Sequence, residues 1–414
     1  MKFICLYLII FSQFAQSAEY ELRGNLEYKL MSYTENTSQN LGHFSLFNFE
    51  QKSFFNKKFM ALNQLRAKST SIETDLAEKI TTKKQNNFEA LLGENYIRFQ
   101  NDSLIFQMGY QDIVWGESFG FHYADIINPR DERITFYSSQ DDVRIPLLLI
   151  NSKIFFKDGS LQLLYSPEPR FSKTLPIDLF IGDSLIQDQI IVRKESTPKV
   201  FKEHEYGFKL STSFIGSDLS LFYYNYLDRN PYYEISNASL TSITLDEKHS
   251  RISSAGVSFA KTLADFVIRS DVVMTKDRKY NYISGLNFSS FQSDSREILV
   301  SLDTPSFKKF TGLIIIANKT LSQTLEGAFQ NKSETQIIGR ITKSLEGDAS
   351  IDLSYTHDVK SKGKAIQTLI KLPVNNDTIL NIGAEQYFGT KESNYGKIKK
   401  INNIFFSIKN YFKI

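Results

Sequence analysis

The sequence alternates between apolar and polar residues with a period of two, over segments about ten residues long. In the first segment one face is apolar or small and the other is charged or amide-bearing. The first face carries Tyr20, Leu22, Gly24, Leu26, Tyr28 and Leu30, and the second carries Glu21, Arg23, Asn25, Glu27 and Lys29. Successive side chains of a strand point to opposite faces, so this pattern predicts a β-strand. A length of about eleven residues is typical of a membrane-crossing strand, whereas soluble strands usually have about five or six.

The same alternation recurs up to the C-terminus, and turn residues separate the segments. Asn101-Asp102 and Gly216-Ser217 are examples of residue types that form tight turns. The later predicted strands cover residues 41–50, 59–66, 90–100, 104–112, 146–156, 160–166, 204–214, 219–227, 250–261, 266–275, 280–290, 296–303, 310–318, 324–330, 334–344, 349–357, 364–372, 378–388 and 401–414. We therefore expect about 20 strands, within a range of roughly 16 to 20.

Short and long connections alternate between these strands. Short turns are expected near residues 51, 101–102, 158–159, 216, 264, 292, 320, 346 and 375–376, and long loops at 68–87, 113–145, 167–202, 228–249 and 389–400. Short turns at one rim and long loops at the other are the plan of bacterial outer-membrane barrels. The alternative is a large soluble all-β protein, such as a propeller or a solenoid. The sequence shows no repeat of fixed period, which a propeller would require.

The predicted fold class is all-β. We expect one closed antiparallel transmembrane β-barrel, with short periplasmic turns and long extracellular loops partly folded into the lumen. A sheet that spans hydrocarbon has to close, because every backbone N–H and C=O needs an internal partner there. A polar lumen in a barrel of this size is compatible with the negative mean hydropathy of −0.28. The 34 Phe and 21 Tyr residues suit aromatic girdles at the two interfaces.

The composition and the C-terminus also indicate partners. A net charge of +3 gives no electrostatic footprint for nucleic acid. The expected partners are outer-membrane lipid and lipopolysaccharide, together with a small solute. In the last segment Phe406, Ile408, Phe412 and Ile414 share one face, while Tyr411 lies on the other. This amphipathic end favours recognition by the barrel-assembly machinery, although the terminal residue is Ile and not an aromatic residue.

The N-terminus has the features of a secretory signal peptide. Met1-Lys2 precedes an apolar core at 3–11 and a small-residue exit, with cleavage expected after Ser17 or Ala18. Residues 1–18 are therefore predicted to be the signal peptide and 19–414 the barrel. The alternatives are a buried N-terminal strand or a membrane anchor, for which the apolar core is too short. The only cysteine, Cys5, lies in the signal, so no disulfide, zinc thiolate site or cysteine nucleophile is expected in the mature chain. No metal site or cofactor is predicted.

Residues 113–145 form an irregular segment between two predicted strands. It combines the only tryptophan with aromatic, acidic and basic residues, which is unusual for a floppy surface loop. The pore and plug candidates are Trp115, Glu117, Asp125, Asn128, Arg130, Asp131, Arg133 and Arg144. We expect the segment to fold into the lumen, where mixed charges narrow the pore and select solutes. Alternatively, the same ion pairs only hold the loop in place.

The second long loop, residues 167–202, is apolar in places, as at Leu175-Pro176-Ile177. It is predicted to cap the barrel mouth, or to contact lipopolysaccharide or a hydrophobic solute. The alternative is that it packs against the first long loop.

Three runs carry a resemblance to a known family: residues 111–117, residues 125–131, and Arg144-Ile145-Pro146. The chain resembles an uncharacterised family of large Gram-negative porin-like outer-membrane barrels, catalogued as a domain of unknown function. The resemblance implies the barrel fold and the outer membrane. The function of this family is unsettled, although some members are associated with export of hydrophobic compounds, so the resemblance implies little about the substrate.

The predicted function is a porin-like channel or transporter for small solutes, with hydrophobic compounds among the candidates. The alternative is a non-conducting barrel that acts as an adhesin, a receptor or an export-system partner. An enzyme is not expected. The histidines are His43, His122, His204, His249 and His357, and none lies in a recognisable catalytic or His-Glu-x-x-His motif.

Overall fold

The computed structural model describes residues 19–34, 41–70, 87–117, 123–132, 143–174, 190–195, 198, 200–239, 242–284, 287–390 and 393–413. Its strands are β1 (Glu19–Tyr33), β2 (Leu41–Phe54), β3 (Phe59–Thr70), β4 (Asn87–Gln100), β5 (Leu104–Gln111), β6 (Leu147–Phe156), β7 (Gly159–Glu168), β8 (Ile190–Arg193), β9 (Glu205–Phe214), β10 (Ser217–Leu227), β11 (Tyr232–Ala238), β12 (Ile243–Lys248), β13 (Arg251–Leu263), β14 (Phe266–Ser284), β15 (Asn287–Asp303), β16 (Phe310–Leu321), β17 (Ser333–Ser344), β18 (Ser350–Asp358), β19 (Lys364–Pro373), β20 (Thr378–Phe388) and β21 (Asn403–Lys413). The predicted signal peptide, residues 1–18, lies outside the described residues.

Eighteen of these strands form one antiparallel sheet that closes on itself. The first strand, β1, pairs with β2 on one side and with the last strand, β21, on the other. Opposite Lys29, for example, lie Phe44 of β2 and Ser407 of β21. The ladder has no free edge, which is what a membrane-spanning sheet requires. The predicted closed antiparallel barrel is therefore confirmed, and its 18 strands lie within the predicted range.

The two faces of the wall differ as the alternation requires. On β1, Leu26 and Leu30 are 52% and 40% exposed, whereas Lys29 and Met31 are 4% and 0% exposed. The exposed residues share one face of the strand, and the buried residues share the other. The outer surface is therefore apolar and the inner surface carries the charged and amide side chains.

The long connections lie at one rim of the barrel, where the extended strands β14 and β15 are joined by a short one, and the opposite rim has only short connections. At the short-turn rim, residues 215–216 join β9 to β10, and both Ile215 and Gly216 have positive φ, at 50° and 65°. Positive φ at both central residues is the geometry of a tight hairpin turn. Glu19 and Lys413 also lie at this rim, since Glu19 pairs with Phe54 next to the β2–β3 turn.

The strands β14 and β15 are longer than predicted, at 19 and 17 residues. The turns expected at residues 292 and 320 lie inside β15 and β16. The predicted strands 280–290 and 296–303 are not separate, because residues 287–290 and 296–303 belong to the same strand, β15. The cause is an irregularity in β14, where the register shifts between Thr275 and Arg278 and Asp277 has φ 68°. Where the alternation of apolar and polar residues is interrupted in this way, the sequence predicts a turn although the strand continues. Residues 324–330, predicted as a strand, lie between β16 and β17.

A second, three-stranded sheet stands at the long-loop rim, with the order β11-β12-β8. Its core residues Tyr233 and Leu245 pack with Phe288 and Phe329. Asn281 of β14 holds the sheet through its side-chain amide, which accepts from Tyr233 N at 2.9 Å and donates to Tyr233 O at 2.7 Å. The extended hairpin of β14 and β15 therefore supports this sheet.

Helical structure is minor in the described chain. The α-helix α1 (Asn394–Lys397) and the 3-10 turns Glu346–Asp348 and Lys399–Ile401 are each a single turn. Across the described ranges, no helix is long and apolar enough to cross a membrane.

Candidate functional site

The chain leaves the barrel wall after Gln111 and rejoins it at Leu147. We call the described residues in between, 112–117, 123–132 and 143–146, the luminal segment. Its apolar residues pack against inward-facing residues of the wall, in a cluster formed by Ile113, Trp115, Ala124, Ile127, Leu147, Leu149, Leu164, Phe222, Tyr224, Tyr226, Ile252 and Val273. Trp115 is fully buried, with its ring centroid 5.5 Å from that of Phe222 and 5.9 Å from that of Tyr224. The segment is thus attached to the inner surface of β6, β7, β10, β13 and β14.

Other residues of the luminal segment reach other parts of the wall. Val143 is buried with Met31 and Phe44 of the first two strands and with Phe405 of β21. Tyr123 packs against the buried cluster of Leu299, Ile315 and Ala317 on β15 and β16. The Val143 contacts lie far around the circumference from the Trp115 cluster, whereas the Tyr123 contacts lie next to it, since β15 pairs with β14. The luminal segment therefore crosses the interior of the barrel.

Asn128 ties the two ends of the luminal segment together. Its Oδ1 accepts from Ile113 N at 2.7 Å, and its Nδ2 donates to Gln111 O at 3.0 Å and Ile145 O at 3.1 Å. The next residues pair with the returning chain, where Ile145 N donates to Pro129 O at 2.8 Å. The buried Asn128 side chain therefore closes the base of the segment where it leaves and rejoins the wall.

Two arginines of the luminal segment share one carboxylate. Arg144 Nε lies 3.0 Å from Asp125 Oδ2, and Arg130 Nη1 lies 3.8 Å from the same oxygen. Asp131 instead pairs with Lys68 of β3, which also lies 3.4 Å from Glu89 Oε2. The charges of the segment are thus paired both within the segment and with the wall.

Glu117 and Trp115 contact a lysine of the wall. Lys209 of β9 donates to Trp115 O at 2.8 Å, and its Nζ lies 3.4 Å from Glu117 Oε1. The indole Nε1 of Trp115 donates to Gln162 Oε1 at 3.0 Å. The polar inner face of β7 and β9 therefore satisfies the polar groups of the buried tryptophan.

The strongest anchor of the luminal segment was not among the predicted site residues. Arg229, which follows β10, makes a two-pronged ion pair with Glu205, with both N···O distances at 2.7 Å. Its Nη2 also donates to Ile127 O at 2.7 Å, and Tyr224 Oη donates to Glu205 at 3.0 Å. Sequence reasoning had no signal for it, because charged residues such as Glu205 occur throughout the polar faces of the predicted strands.

Two carboxyl groups of the luminal segment have raised pKa values. Burial raises the pKa of Asp112 to about 7, although the nearby Arg66 lowers it in part. Burial likewise raises the pKa of Glu132 to about 7, against the lowering effect of Arg130. Both groups therefore titrate near neutral pH.

A cavity of about 240 Å³ lies beside the first residues of the luminal segment. It is lined by Gln107, Asp112, Ile113, Val114, Asn151, Lys153, Ser160, Gln162, Lys209 and Ser211. Its wall residues come from β5, β6, β7 and β9, close to their short turns. The cavity thus lies on the short-turn side of the luminal segment, and its lining is largely polar.

A family model described as "Protein of unknown function (DUF1302)" matches residues 32–336, which is most of the chain. The chain belongs to this family. The match includes the whole luminal segment and both members of the Arg229–Glu205 pair, and it confirms the predicted uncharacterised porin-like family. No curated protein gives a significant match to the sequence.

Solved porin structures are similar to this DUF1302 protein along nearly its whole length. A BenF-like porin from Pseudomonas fluorescens Pf-5 has a TM-score of 0.52 at 9% identity, covering 97% of this chain and 99% of that chain. OccK8 (OprE) of Pseudomonas aeruginosa has a TM-score of 0.52 at 9% identity, covering 96% and 98%. OpdK with vanillate, also from Pseudomonas aeruginosa, has a TM-score of 0.50 at 9% identity, covering 96% and 99%. At this identity the likeness shows a porin-like barrel fold.

Two predictions about this DUF1302 member fall wholly or partly outside the described residues. Arg133 lies outside the described residues, as does half of the predicted cap loop, 167–202. The described start of that loop contacts the luminal segment, where Lys173 N donates to Arg130 O at 2.9 Å and Ser172 Oγ accepts from Arg130 N at 3.0 Å. Within the described ranges, no group of three or more His, Cys, Asp or Glu residues is placed to hold a metal ion.

Proposed function

We propose that this DUF1302 protein is an outer-membrane channel for small solutes, in which the luminal segment forms the constriction. The observation that carries the proposal is the set of contacts that the segment makes around a closed 18-strand wall. A barrel of this strand number is wide enough for an aqueous lumen. A segment that crosses such a lumen narrows the route and brings its side chains into contact with any passing solute.

The charges at the constriction give it the means to discriminate between solutes. On the wall side, Arg66 Nη2 lies 3.7 Å from Asp112 Oδ2, and Lys68 pairs with Asp131. Basic groups of β3 therefore face acidic groups of the luminal segment across a short distance. Such a field orients and selects charged or dipolar solutes. The polar inner surface favours polar solutes over the hydrophobic compounds that the family resemblance suggests.

The outer surface and the last strand support the proposed location and partners. Exposed apolar residues such as Ile316, Ile404 and Phe406 form the outward face, which suits contact with outer-membrane lipid and lipopolysaccharide. In β21, Ile404, Phe406 and Ile408 lie on this face, next to the chain end that the barrel-assembly machinery would engage. We assign no enzymatic role.

The rival function is a non-conducting barrel that acts as an adhesin, a receptor or an export-system partner. One observation favours it, namely that the luminal segment touches the wall on several sides. A lumen shut by these contacts would serve binding and not passage.

Conductance of the purified full-length protein in planar lipid bilayers tests the proposal. We expect stepwise currents whose size depends on salt concentration. Samples are first checked for folding by their migration with and without boiling. Folded protein that inserts and gives no current steps over the full voltage range would refute the channel and support the binding barrel.

A further inference from the structure

The cavity beside the luminal segment has the features of a binding site. One side of it is formed by the inner surface of β5, β6, β7 and β9, and the opposite side by Asp112, Ile113 and Val114. A solute that approaches from the short-turn rim would reach this cavity before it reached the constriction. Its volume of about 240 Å³ equals the space of about eight water molecules.

The two lysines of the cavity differ in how their charges are compensated. Lys209 donates to Trp115 O at 2.8 Å and lies 3.4 Å from Glu117 Oε1. Lys153 makes no ion pair with any carboxylate in the described part of the chain, and its Nζ lies 5.2 Å from the centroid of the Phe155 ring. Among the described residues, therefore, no carboxylate compensates the positive charge that Lys153 brings to the cavity.

Asp112 is the acidic residue of the cavity lining, and its partners lie outside that lining. Asp112 Oδ1 accepts from Asn128 Nδ2 at 3.3 Å, and its Oδ2 lies 3.7 Å from Arg66 Nη2. Both oxygens of Asp112 are thus engaged by groups outside the cavity lining. The balance of charge in the cavity is therefore positive, and an anion would find Lys153 available.

Amides and hydroxyls fill the rest of the polar lining. Asn151 links two glutamines, since its Nδ2 donates to Gln107 Oε1 at 3.2 Å and its Oδ1 accepts from Gln162 Nε2 at 3.0 Å. The Oγ of Ser211 lies 3.0 Å from that of Ser220. Such side chains both donate and accept hydrogen bonds, so they suit a ligand that carries hydroxyl groups.

We propose that this cavity binds a small hydroxylated organic anion, with the anionic group held by the ammonium of Lys153 and the hydroxyls by the amide row of Gln107, Asn151 and Gln162. As the solute class of the channel, this proposal rests on the function proposed above. Binding here would also place the anion next to Lys209, which holds the luminal segment through Trp115 O and Glu117.

The test uses isothermal titration calorimetry on the detergent-solubilised full-length protein, which requires no conductance. The probes are gluconate, glucose and glucosamine, which are similar in size and hydroxyl content but differ in charge. We expect gluconate to bind and the other two to bind at least about tenfold more weakly, because the charge-assisted contact is lost. Glucose or glucosamine binding as tightly as gluconate would overturn the anionic class.

Variants then locate the binding. Lys153→Gln should weaken gluconate binding about tenfold or more, whereas Lys153→Arg, which keeps the charge, should retain most of it. Lys157→Gln is the matched control, because Lys157 is exposed in the neighbouring turn. Equal gluconate binding by Lys153→Gln and the parent would overturn the site. If the protein binds gluconate but does not conduct, the anion site is supported and the channel function is refuted. If it conducts but does not bind gluconate, the channel function is supported and the anion site is refuted.

Discussion

The guanidinium of Arg229 and the carboxylate of Glu205 form a buried two-pronged ion pair, with Nη1···Oε1 and Nη2···Oε2 both at 2.7 Å. Glu205 begins β9, and Arg229 follows the end of β10. Arg229 uses its remaining donors on Ile127 O in the luminal segment and on Arg170 O. One side chain therefore connects the wall, the luminal segment and the second long loop.

Loss of this arginine should destabilise the protein strongly. Arg229→Met leaves the Glu205 carboxylate buried without its partner, which costs about 3–5 kcal/mol. The expected result is a lower urea midpoint for the change in Trp115 fluorescence, since the only tryptophan lies in the attached segment. Lys248→Gln is the control, because its pair with Glu234 is largely exposed and contributes at most about 1 kcal/mol. Equal midpoints for both variants would contradict this role of Arg229.

The attachment of the luminal segment should weaken as the pH rises through neutrality. Burial raises the pKa of Asp112 from 3.8 to about 7, so folding favours its protonated form. This stabilising contribution is complete below about pH 4 and is lost as the pH rises through about 7. The groups that act on Asp112 are Arg66 and Arg144, which lower its pKa, and Glu94 and Asp125, which raise it.

Open probability in bilayers, measured between about pH 6 and pH 8, checks this expectation. The parent should open more often at the higher pH. Asp112→Asn, which stays neutral, should lose most of this dependence. The control is Asp265→Asn at the opposite rim of the barrel, which should leave the pH dependence of the open probability as in the parent. If Asp112→Asn kept the full pH dependence, Asp112 would not be its origin. Glu132 would then be the next carboxyl group to test.

Charge reversal at Arg130 should shift ion selectivity toward cations. Its guanidinium lies 3.8 Å from Asp125 within the segment that crosses the lumen. Arg130→Glu replaces a positive charge by a negative one at that place, which attracts cations into the narrow part of the lumen. Reversal potentials in a salt gradient measure the change. Arg193→Glu in the three-stranded sheet at the rim is the control, and an equal shift in both variants would show that Arg130 has no special access to the ion path.

A further prediction concerns cleavage of the signal peptide and closure of the barrel. The mature protein should begin just after Ser17 or Ala18, as N-terminal sequencing of membrane-purified material would show. Its unboiled sample should migrate differently from its boiled sample, because a closed ladder without a free edge resists unfolding in detergent. An intact N-terminus with identical migration of the two samples would contradict both expectations.

The period-two pattern was sufficient to predict the barrel because each strand has one apolar and one polar face. It failed where the backbone departs from the regular strand, as between Thr275 and Arg278, where the register shifts within one strand. The alternation is interrupted there, and sequence alone cannot distinguish an irregularity from a turn. The three-stranded sheet was missed because its strand β8 has four residues and joins β12 across a long stretch of chain.

The predicted site residues were chosen by composition, and their partners depend on the three-dimensional arrangement. Asp131 pairs with Lys68, 63 residues earlier, and Glu205 pairs with Arg229, 24 residues later. Local sequence carries no signal for either pairing, because both depend on strand register and on the path of the luminal segment. A polar face was predictable for each strand, but the partner of each charge was not.

Removal of the central part of the luminal segment gives the most direct test of the constriction. Replacing residues 118–138 by a Gly/Ser linker deletes Asp125, Asn128 and Asp131, and with them the closure at the base and the pair with Lys68. The wall pairings of β5 with β6 involve none of the deleted residues, so the barrel should still assemble and show heat-modifiable migration. Single-channel conductance should rise, because the lumen of an 18-strand barrel is left wider. A folded variant with the conductance of the parent would place the luminal segment outside the permeation path.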